Sequence, residues 1–333
     1  MNRKIRWGLL GAGKILDRWM KGARQIEDME IVAVASRTRE SAAKTAEKFQ
    51  IPEVLTYEEM LARKDIDVVY IPVPHTAHMD LALKAMEAGK SVLVEKPAGI
   101  NVQQWEKMTE CARKNQVFLM EAAWTRFFPL MKEIEAHLKD IGDVRVVSTN
   151  FSFRNDEMDS RLMDPNRAGG SLLDVGVYDL HFTKMILKKD PILLSGVASM
   201  DTDEHHLQVD EQAAWIAQYD KGELGLMCSA IRTDMIDTAY IYGTKGHMII
   251  SQFWKPWQLQ LTVGDKTETI ECPVPQKIAG IEDEGYQFEI AHVNQCIREG
   301  MKESPVMTWE ETASILKQCD MLRKQWGLKY PQD

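Results

Sequence analysis

Ser91-Val92-Leu93-Val94-Glu95-Lys96-Pro97 is a short apolar run that stops on an acid, an ammonium and a proline. Val92, Leu93 and Val94 suit a strand buried on both faces of a parallel sheet. In an open α/β sheet, ligands bind beyond the carboxyl ends of the strands. Lys96 therefore stands where a ligand would be. On position alone, a lysine that merely leaves the sheet for solvent explains the pattern equally well.

Around this run, strand and helix signals alternate. Arg6 to Leu10 reads as a strand; Gly11-Ala12-Gly13 follows, and a helix is predicted to about Gln25. Ile31 to Ala35 and Val68 to Ile71 are further buried strands. Thr38 and a Thr56/Glu59 capping box mark helix starts between them. A helix near Met79 to Ala88 stops at Gly89. Asn101 with Gln104 opens another helix, to about Lys114, and Val117 to Ala122 closes the series. Repeated βα units imply right-handed crossovers and a parallel sheet with helices on both faces. That is a Rossmann-like, doubly wound domain over residues 1–122.

Composition narrows the function classes. The 333 residues are enough for about two domains, and 44% are hydrophobic, as in ordinary globular chains. The net charge of -9 disfavours nucleic acid and anionic membrane as partners. The five cysteines show no C-x-x-C spacing, which fits reduced thiols in a cytoplasmic protein. The first residues lead straight into a strand without the apolar core of a signal peptide, and no run approaches a membrane span.

The glycine loop after the first strand suits a dinucleotide. Gly11 permits a tight turn, Gly13 lets backbone approach a pyrophosphate, and the next helix offers its N-terminal amides. Leu16 takes the third fingerprint position, where Gly or Ala is usual. At the end of the second strand, Ser36-Arg37-Thr38 replaces the acid that would bind an NAD ribose. Hydroxyls and a guanidinium suit a 2′-phosphate, hence NADP over NAD, although an ordinary solvated loop has the same composition. The Tyr70 to His78 stretch, with Pro72, Pro74, His75 and His78, forms a stiff loop at the same edge. Its two histidines lack a third ligand at suitable spacing, so a cofactor contact is expected there and no metal.

Beyond Ala122 the alternation stops. Trp124-Thr125-Arg126-Phe127-Phe128-Pro129 is either a hinge core or an aromatic substrate wall. A helix to about Lys139 and a strand from Val144 to Phe153 follow. Gly169-Gly170 then leads into a helix carrying Asp174 and Tyr178, four apart and so on one face. A carboxylate and a phenol presented together are candidates for proton transfer; a capping Asp beside a packed Tyr is the alternative. From Ile192 to about Ile270 successive strands predict a large, mostly antiparallel open sheet. The helix from Asp174 to Leu187 and the one ending at Gly300 are expected to cover one face, and the final helix carries a Thr308/Glu311 capping box. Residues 123–333 thus read as an α+β domain for substrate and oligomer contacts, with a homodimer or homotetramer expected.

Together, Gly11-Ala12-Gly13, the Tyr70 to His78 loop, Glu95-Lys96-Pro97 and Gly169-Gly170 through Asp174 to Tyr178 resemble the Gfo/Idh/MocA family. That family takes its name from glucose–fructose oxidoreductase and inositol dehydrogenase, and the resemblance covers essentially the whole chain. Glu121 to Pro129, Ser36-Arg37 and Tyr178 are most similar to its NADP-dependent dimeric dihydrodiol and D-xylose dehydrogenases. The resemblance implies a dehydrogenase moving a hydride between a nicotinamide and a CH–OH/C=O carbon of a sugar, cyclic polyol or trans-dihydrodiol. It also implies that Lys96 and Tyr178 work at that carbon, with Asp174 beside them and Tyr178 within hydrogen-bond reach of Lys96 or of the substrate oxygen. Tyr178 would exchange the proton, and the Lys96 cation would lower the phenol pKa. It favours a cis Lys96-Pro97 bond, and His181 receives no role.

The cofactor set reads as Gly11, Gly13, Lys14 and Ile15, then Ser36, Arg37 and Thr38, then Pro72, Pro74, His75 and His78. Glu95, Lys96, Pro97, Trp124 and Arg126 complete it. The substrate set is Trp124, Phe153, Asp174 and Trp254. A protein that binds NADP without turnover, as a redox sensor or regulator, is the alternative. Keeping both Lys96 and Tyr178 speaks for catalysis, because a sensor needs only the glycine loop.

Overall fold

The computed structural model describes residues 3–158, 160–200, 208–273 and 284–333, which fall into two compact units. The first contains residues 3–99, 103–124 and 284–313, and the second contains the rest.

The first unit opens with β1 (Ile5–Leu10), α1 (Leu16–Ala23), β2 (Met29–Ala35), α2 (Arg39–Phe49), β3 (Glu53–Leu55) and α3 (Tyr57–Ala62). It continues with β4 (Val68–Ile71), α4 (His78–Glu87), β5 (Ser91–Glu95), α5 (Val102–Asn115) and β6 (Leu119–Ala122). The strands form one sheet in the order β3-β2-β1-β4-β5-β6 with every pairing parallel. The order reverses between β1 and β4, the crevice where dinucleotides bind in such sheets. Val68, Val69, Val92, Leu93 and Val94 are wholly buried, as strands covered on both faces must be. β3 is absent from the sequence reading: three half-buried residues on the sheet edge are too few to show a period.

The second unit holds α6 (Pro129–His137), β7 (Val144–Ser152), a π-helical turn (Leu172–Gly176) and α7 (Val177–Leu187). Then come β8 (Leu193–Ser199), β9 (Gln212–Gln218), β10 (Leu224–Ala230), β11 (Thr238–Gly243), β12 (Gly246–Ser251), β13 (Gln258–Val263) and β14 (Lys266–Glu271). Its eight strands run β14-β13-β12-β11-β7-β10-β9-β8, and all pairings but β7–β10 are antiparallel. Register sorts the two faces. Leu194, Ala217, Gly225, Val147, Ile241, Met248 and Leu261 stand in one row across the sheet, all buried. Ser195, Ile216, Leu226, Ser148, Tyr240, Ile249 and Gln260 form the adjacent row on the opposite face, and none is buried.

The last helices are α8 (Tyr286–Arg298) and α9 (Trp309–Trp326). Thr308 and Glu311 cap α9 reciprocally, as expected. The helix ending at Gly300, expected over the antiparallel sheet, is α8, and it belongs to the first unit, where it packs on α1. Its buried stripe carries Asn294, whose Oδ1 accepts from Trp7 Nε1 at 2.9 Å and whose Nδ2 donates to Asp28 at 3.0 Å. α7, with Ile315, Cys319 and Leu322 of α9, covers the antiparallel sheet instead.

Candidate active site

In the first unit the glycine loop leaves β1 with Gly11 N donating to Ala35 O at 2.8 Å. Gly11 has φ +144, and a Cβ there would come within 2.6 Å of Val73. A Cβ on Gly13 would collide with the Pro72 carbonyl oxygen. The loop is thus held against the Pro72-Val73 stretch after β4, and protein atoms by themselves require glycine at both positions. Lys14 and Ile15 make the turn into α1, whose Leu16 is buried. At the end of β2, Arg37 is exposed and Ser36 half-buried, while Thr38 Oγ1 caps α2 by accepting from Ser41 N at 3.3 Å.

Lys96-Pro97 is cis, as expected. Glu95 and Lys96 are half-buried, and Pro97 is buried. Fully buried His78 bridges this turn to the stretch after β4, with Nδ1 2.9 Å from Pro97 O and Nε2 2.8 Å from Val73 O. Carbonyls only accept, so whichever ring nitrogen carries the hydrogen donates to one of them. His75 is buried beside it, with ring centroids 5.8 Å apart, and Pro74 is exposed. Trp124 is buried, stacked on Tyr286 at 4.2 Å, with the Arg18 guanidinium 5.4 Å from its ring centroid. Among the described residues no three His, Cys, Asp or Glu side chains gather as a metal site.

In the second unit, Gly170 at φ +113 turns so tightly that a Cβ would strike the Asp210 carboxylate. Asp210 Oδ2 accepts from Leu172 N at 2.6 Å and Ser171 Oγ at 3.0 Å, tying the turn to its neighbour; burial pushes the Asp210 carboxyl up to about 6. The segment that follows winds as a π-helix through Asp174 before α7 begins at Val177, so the expected α-helical face is a wider turn. Such turns concentrate at functional sites. Buried Asp174 accepts from Arg161 Nη2 at 2.7 Å, and Arg161 is partly exposed. Arg161 was missed by sequence reasoning, because it lies 13 positions before Asp174 across an irregular loop.

Tyr178 is half-buried, and its ring meets the edge of Phe151 at 5.1 Å. Phe151 stacks on Trp254 at 5.1 Å, and Trp254 Nε1 donates to Asp237 at 3.1 Å. Phe151 also escaped the sequence reading, which chose Phe153; both pack at the edge of the same small apolar cluster. Arg126 is buried, and the neighbouring Thr125 Oγ1 donates to Trp254 O at 2.6 Å. The structure thus joins Asp174 with Arg161, and Tyr178 with Phe151 and Trp254. Lys96, Trp124 and the glycine loop belong to the first unit.

Asp179, next to Tyr178, is wholly buried, and burial pushes its carboxyl well above the usual range while the Thr149 hydroxyl opposes this. A raised folded-state pKa means that the folded state keeps a proton which the unfolded state loses. Its stabilising contribution is complete below the unfolded value of 3.8 and is lost as pH rises through the higher folded value. Asp179→Asn should therefore raise Tm, and by more at pH 8 than at pH 5. An equal gain at both pH values would show Asp179 to be ordinary.

Two family models match the chain. Residues 5–123 fit the oxidoreductase family with an NAD-binding Rossmann fold, and residues 136–249 fit the GFO/IDH/MocA C-terminal domain. Trans-1,2-dihydrobenzene-1,2-diol dehydrogenase of Mus musculus is 35% identical over 335 residues, covering 99% of each chain. Its Homo sapiens namesake is 33% identical over 336 residues, again with 99% of each covered. Among solved structures, KijD10, a 3-ketoreductase from Actinomadura kijaniata in complex with NADP and TDP-benzene, has a TM-score of 0.86. It covers 97% of this chain and 98% of its own at 21% identity, a likeness of fold.

Proposed function

The chain belongs to the Gfo/Idh/MocA oxidoreductase family, and on that premise we propose an NADP-preferring dehydrogenase of sugars, cyclic polyols or trans-dihydrodiols. The observation that carries the reading is full-length similarity to dihydrodiol dehydrogenases in a chain that keeps Lys96, Asp174 and Tyr178. The cofactor, once bound, supplies the hydride chemistry, and the protein positions it and handles the proton. Residues 1–122 would bind the dinucleotide, and residues 123–333 the substrate. The glycine loop, Pro72, Pro74, His75 and His78 would hold the dinucleotide, with Glu95-Lys96-Pro97 at its nicotinamide end. Tyr178 would take the hydroxyl proton during oxidation and return it during reduction, with the Lys96 cation favouring the phenolate. Asp174, held by Arg161, would accept hydrogen bonds from substrate hydroxyls, and Trp254, Phe153 and Trp124 would offer apolar faces to the ring. NADPH absorbance followed with a panel of sugars and diols tests this reading; no turnover across the panel would favour a non-catalytic binder.

NADP preference is supported by exposed Arg37 at the end of β2. Arg37→Ala should erode the preference for NADP(H) over NAD(H) by roughly 1–3 kcal/mol, the scale of charge-assisted hydrogen bonds. Equal affinities for both cofactors in the unaltered protein, measured by titration, would sink the idea.

A homodimer or homotetramer is supported by the second sheet face, where Val197 is 72% and Ile216 51% exposed beside Leu224 and Leu226. Monomers rarely leave so continuous an apolar surface to water. Light scattering should give a mass above that of one chain, and Ile216→Lys should lower it; a monomer before substitution overturns the reading. The five cysteines are free thiols, which suits the proposed cytoplasmic setting, and no described helix is long and apolar enough to cross a membrane.

A further inference from the structure

The rings beside Tyr178 are held by a carboxylate to which the proposed chemistry gives no part. β11 lies between β7 and β12, with Thr238 in register with Asn150 on one side and Ser251 on the other. Asp237, one residue before β11, therefore stands between the end of β7, which carries Phe151 and Ser152, and the residues just past β12, among them Trp254. Its two oxygens divide between these neighbours. Oδ1 accepts from Ser152 N at 2.9 Å, and Oδ2 accepts from Trp254 Nε1 at 3.1 Å. One carboxylate thus fixes both the backbone next to Phe151 and the indole that stacks on Phe151 with planes 4° apart.

The clamp is itself tied down. Asp237 O accepts from Gln252 N at 2.7 Å, and Ser152 Oγ accepts from Met235 N at 2.6 Å. On its other sides the Phe151 ring meets Tyr178 at 72° and Phe253 at 77°. Phe253 is buried, whereas Phe151, Tyr178 and Trp254 are each half-buried and keep some surface open. The residue type at 237 follows from its partners. Two N–H donors converge there, and an ionised carboxylate offers an oxygen to each. An asparagine offers one oxygen and turns its own NH2 toward the second donor.

We propose that Asp237 is a positioning residue: it locks the plane of the Trp254 indole against Phe151 and so sets the apolar wall beside Tyr178 against which a substrate ring lies. The proposal rests on the reading of Tyr178 as the proton-exchanging group and of Trp254 as a substrate contact. It adds the residue that holds that wall in place.

The first arm of the test uses neither substrate nor cofactor. The full chain is labelled with heavy nitrogen in its tryptophan indoles, and Trp254→Phe identifies the Trp254 signal by its loss. In the unaltered chain that indole proton should exchange slowly with deuterium. In Asp237→Asn it should exchange about tenfold faster or more, the worth of a bond to a charged acceptor. A carboxylate that only stabilises the fold would lower Tm without singling out this one of nine indoles.

The second arm is a double-mutant cycle on a substrate that turns over. Asp237→Asn should raise KM about tenfold and leave kcat within about threefold, because the Tyr178 hydroxyl is untouched. In a Trp254→Phe background, which has no indole proton to hold, the same substitution should change KM by less than about twofold. The proposal falls if the Trp254 proton exchanges freely in the unaltered chain, if Asp237→Asn leaves that exchange unchanged, or if it raises KM equally in both backgrounds. Should Asp237→Asn not fold, free exchange in the unaltered chain still overturns the proposal, and slow exchange with a raised KM in Trp254→Phe supports it. If no sugar or diol turns over, the proposed activity falls and the exchange arm alone decides the role of Asp237.

Discussion

Tyr178→Phe is expected to lower kcat by about 10²-fold or more, the usual contribution of a positioned acid–base group. NADP(H) affinity should be nearly unchanged. Tyr178 is half-buried, meets Phe151 edge-on at 5.1 Å, and packs against both main apolar clusters of the second unit. Phenylalanine keeps those contacts and removes only the hydroxyl, so a loss of turnover without a loss of Tm isolates the proton. Lys96→Met should also cut turnover, but it removes a charge from the cofactor side and should weaken NADP(H) binding as well. Single-turnover kinetics with a true substrate separate the two. If Tyr178→Phe turns over nearly normally, Tyr178 is a packed aromatic, and the proton passes through Lys96, His181 or water.

Gly170→Ala should destabilise the second unit by about 3 kcal/mol or more, the sum of a strained backbone and a forced overlap. Gly170 has φ +113, and a methyl group there would strike the Asp210 carboxylate. Asp210 cannot withdraw cheaply, because its Oδ2 holds Leu172 N at 2.6 Å and Ser171 Oγ at 3.0 Å. Those two residues lead directly into the π-helical turn that carries Asp174. Gly222→Ala is the control. Gly222 has φ +85, yet an added Cβ would meet nothing within 4 Å. Its cost should be about 1 kcal/mol, that of the backbone alone. Calorimetry on both variants should give the larger drop in Tm for Gly170→Ala; equal drops would mean that Asp210 yields.

Local signals carried far in the first unit. Apolar runs at Val68 to Ile71 and Val92 to Val94, the glycine loop and the Thr56/Glu59 capping box all act within a few residues, and each appears where its spacing places it. Alternation along β9 and β10 likewise told a covered sheet face from an open one, because side chains on a strand take opposite faces in turn. The Gly-Gly turn, Asp174 and Tyr178 were legible as a unit of residue types. Their partners were not. Arg161 reaches Asp174 across an irregular loop, Asp210 reaches Gly170 from a different part of the chain, and Phe151, which the sequence did not single out, is a ring beside Tyr178.

Periodicity states that a face is buried without stating what covers it. That is why α8 was expected over the antiparallel sheet and is found against α1, where Asn294 meets Trp7 and Asp28. The parallel β7–β10 pairing in an otherwise antiparallel sheet is of the same kind. Element type, strand facing and the chemistry available at the sheet edge follow from short-range sterics and hydrogen bonding, which neighbouring residues settle among themselves. Pairing, winding at Asp174 and the company each ionisable group keeps depend on contacts between residues far apart in the chain. Their free energies exist only once the core has closed around them.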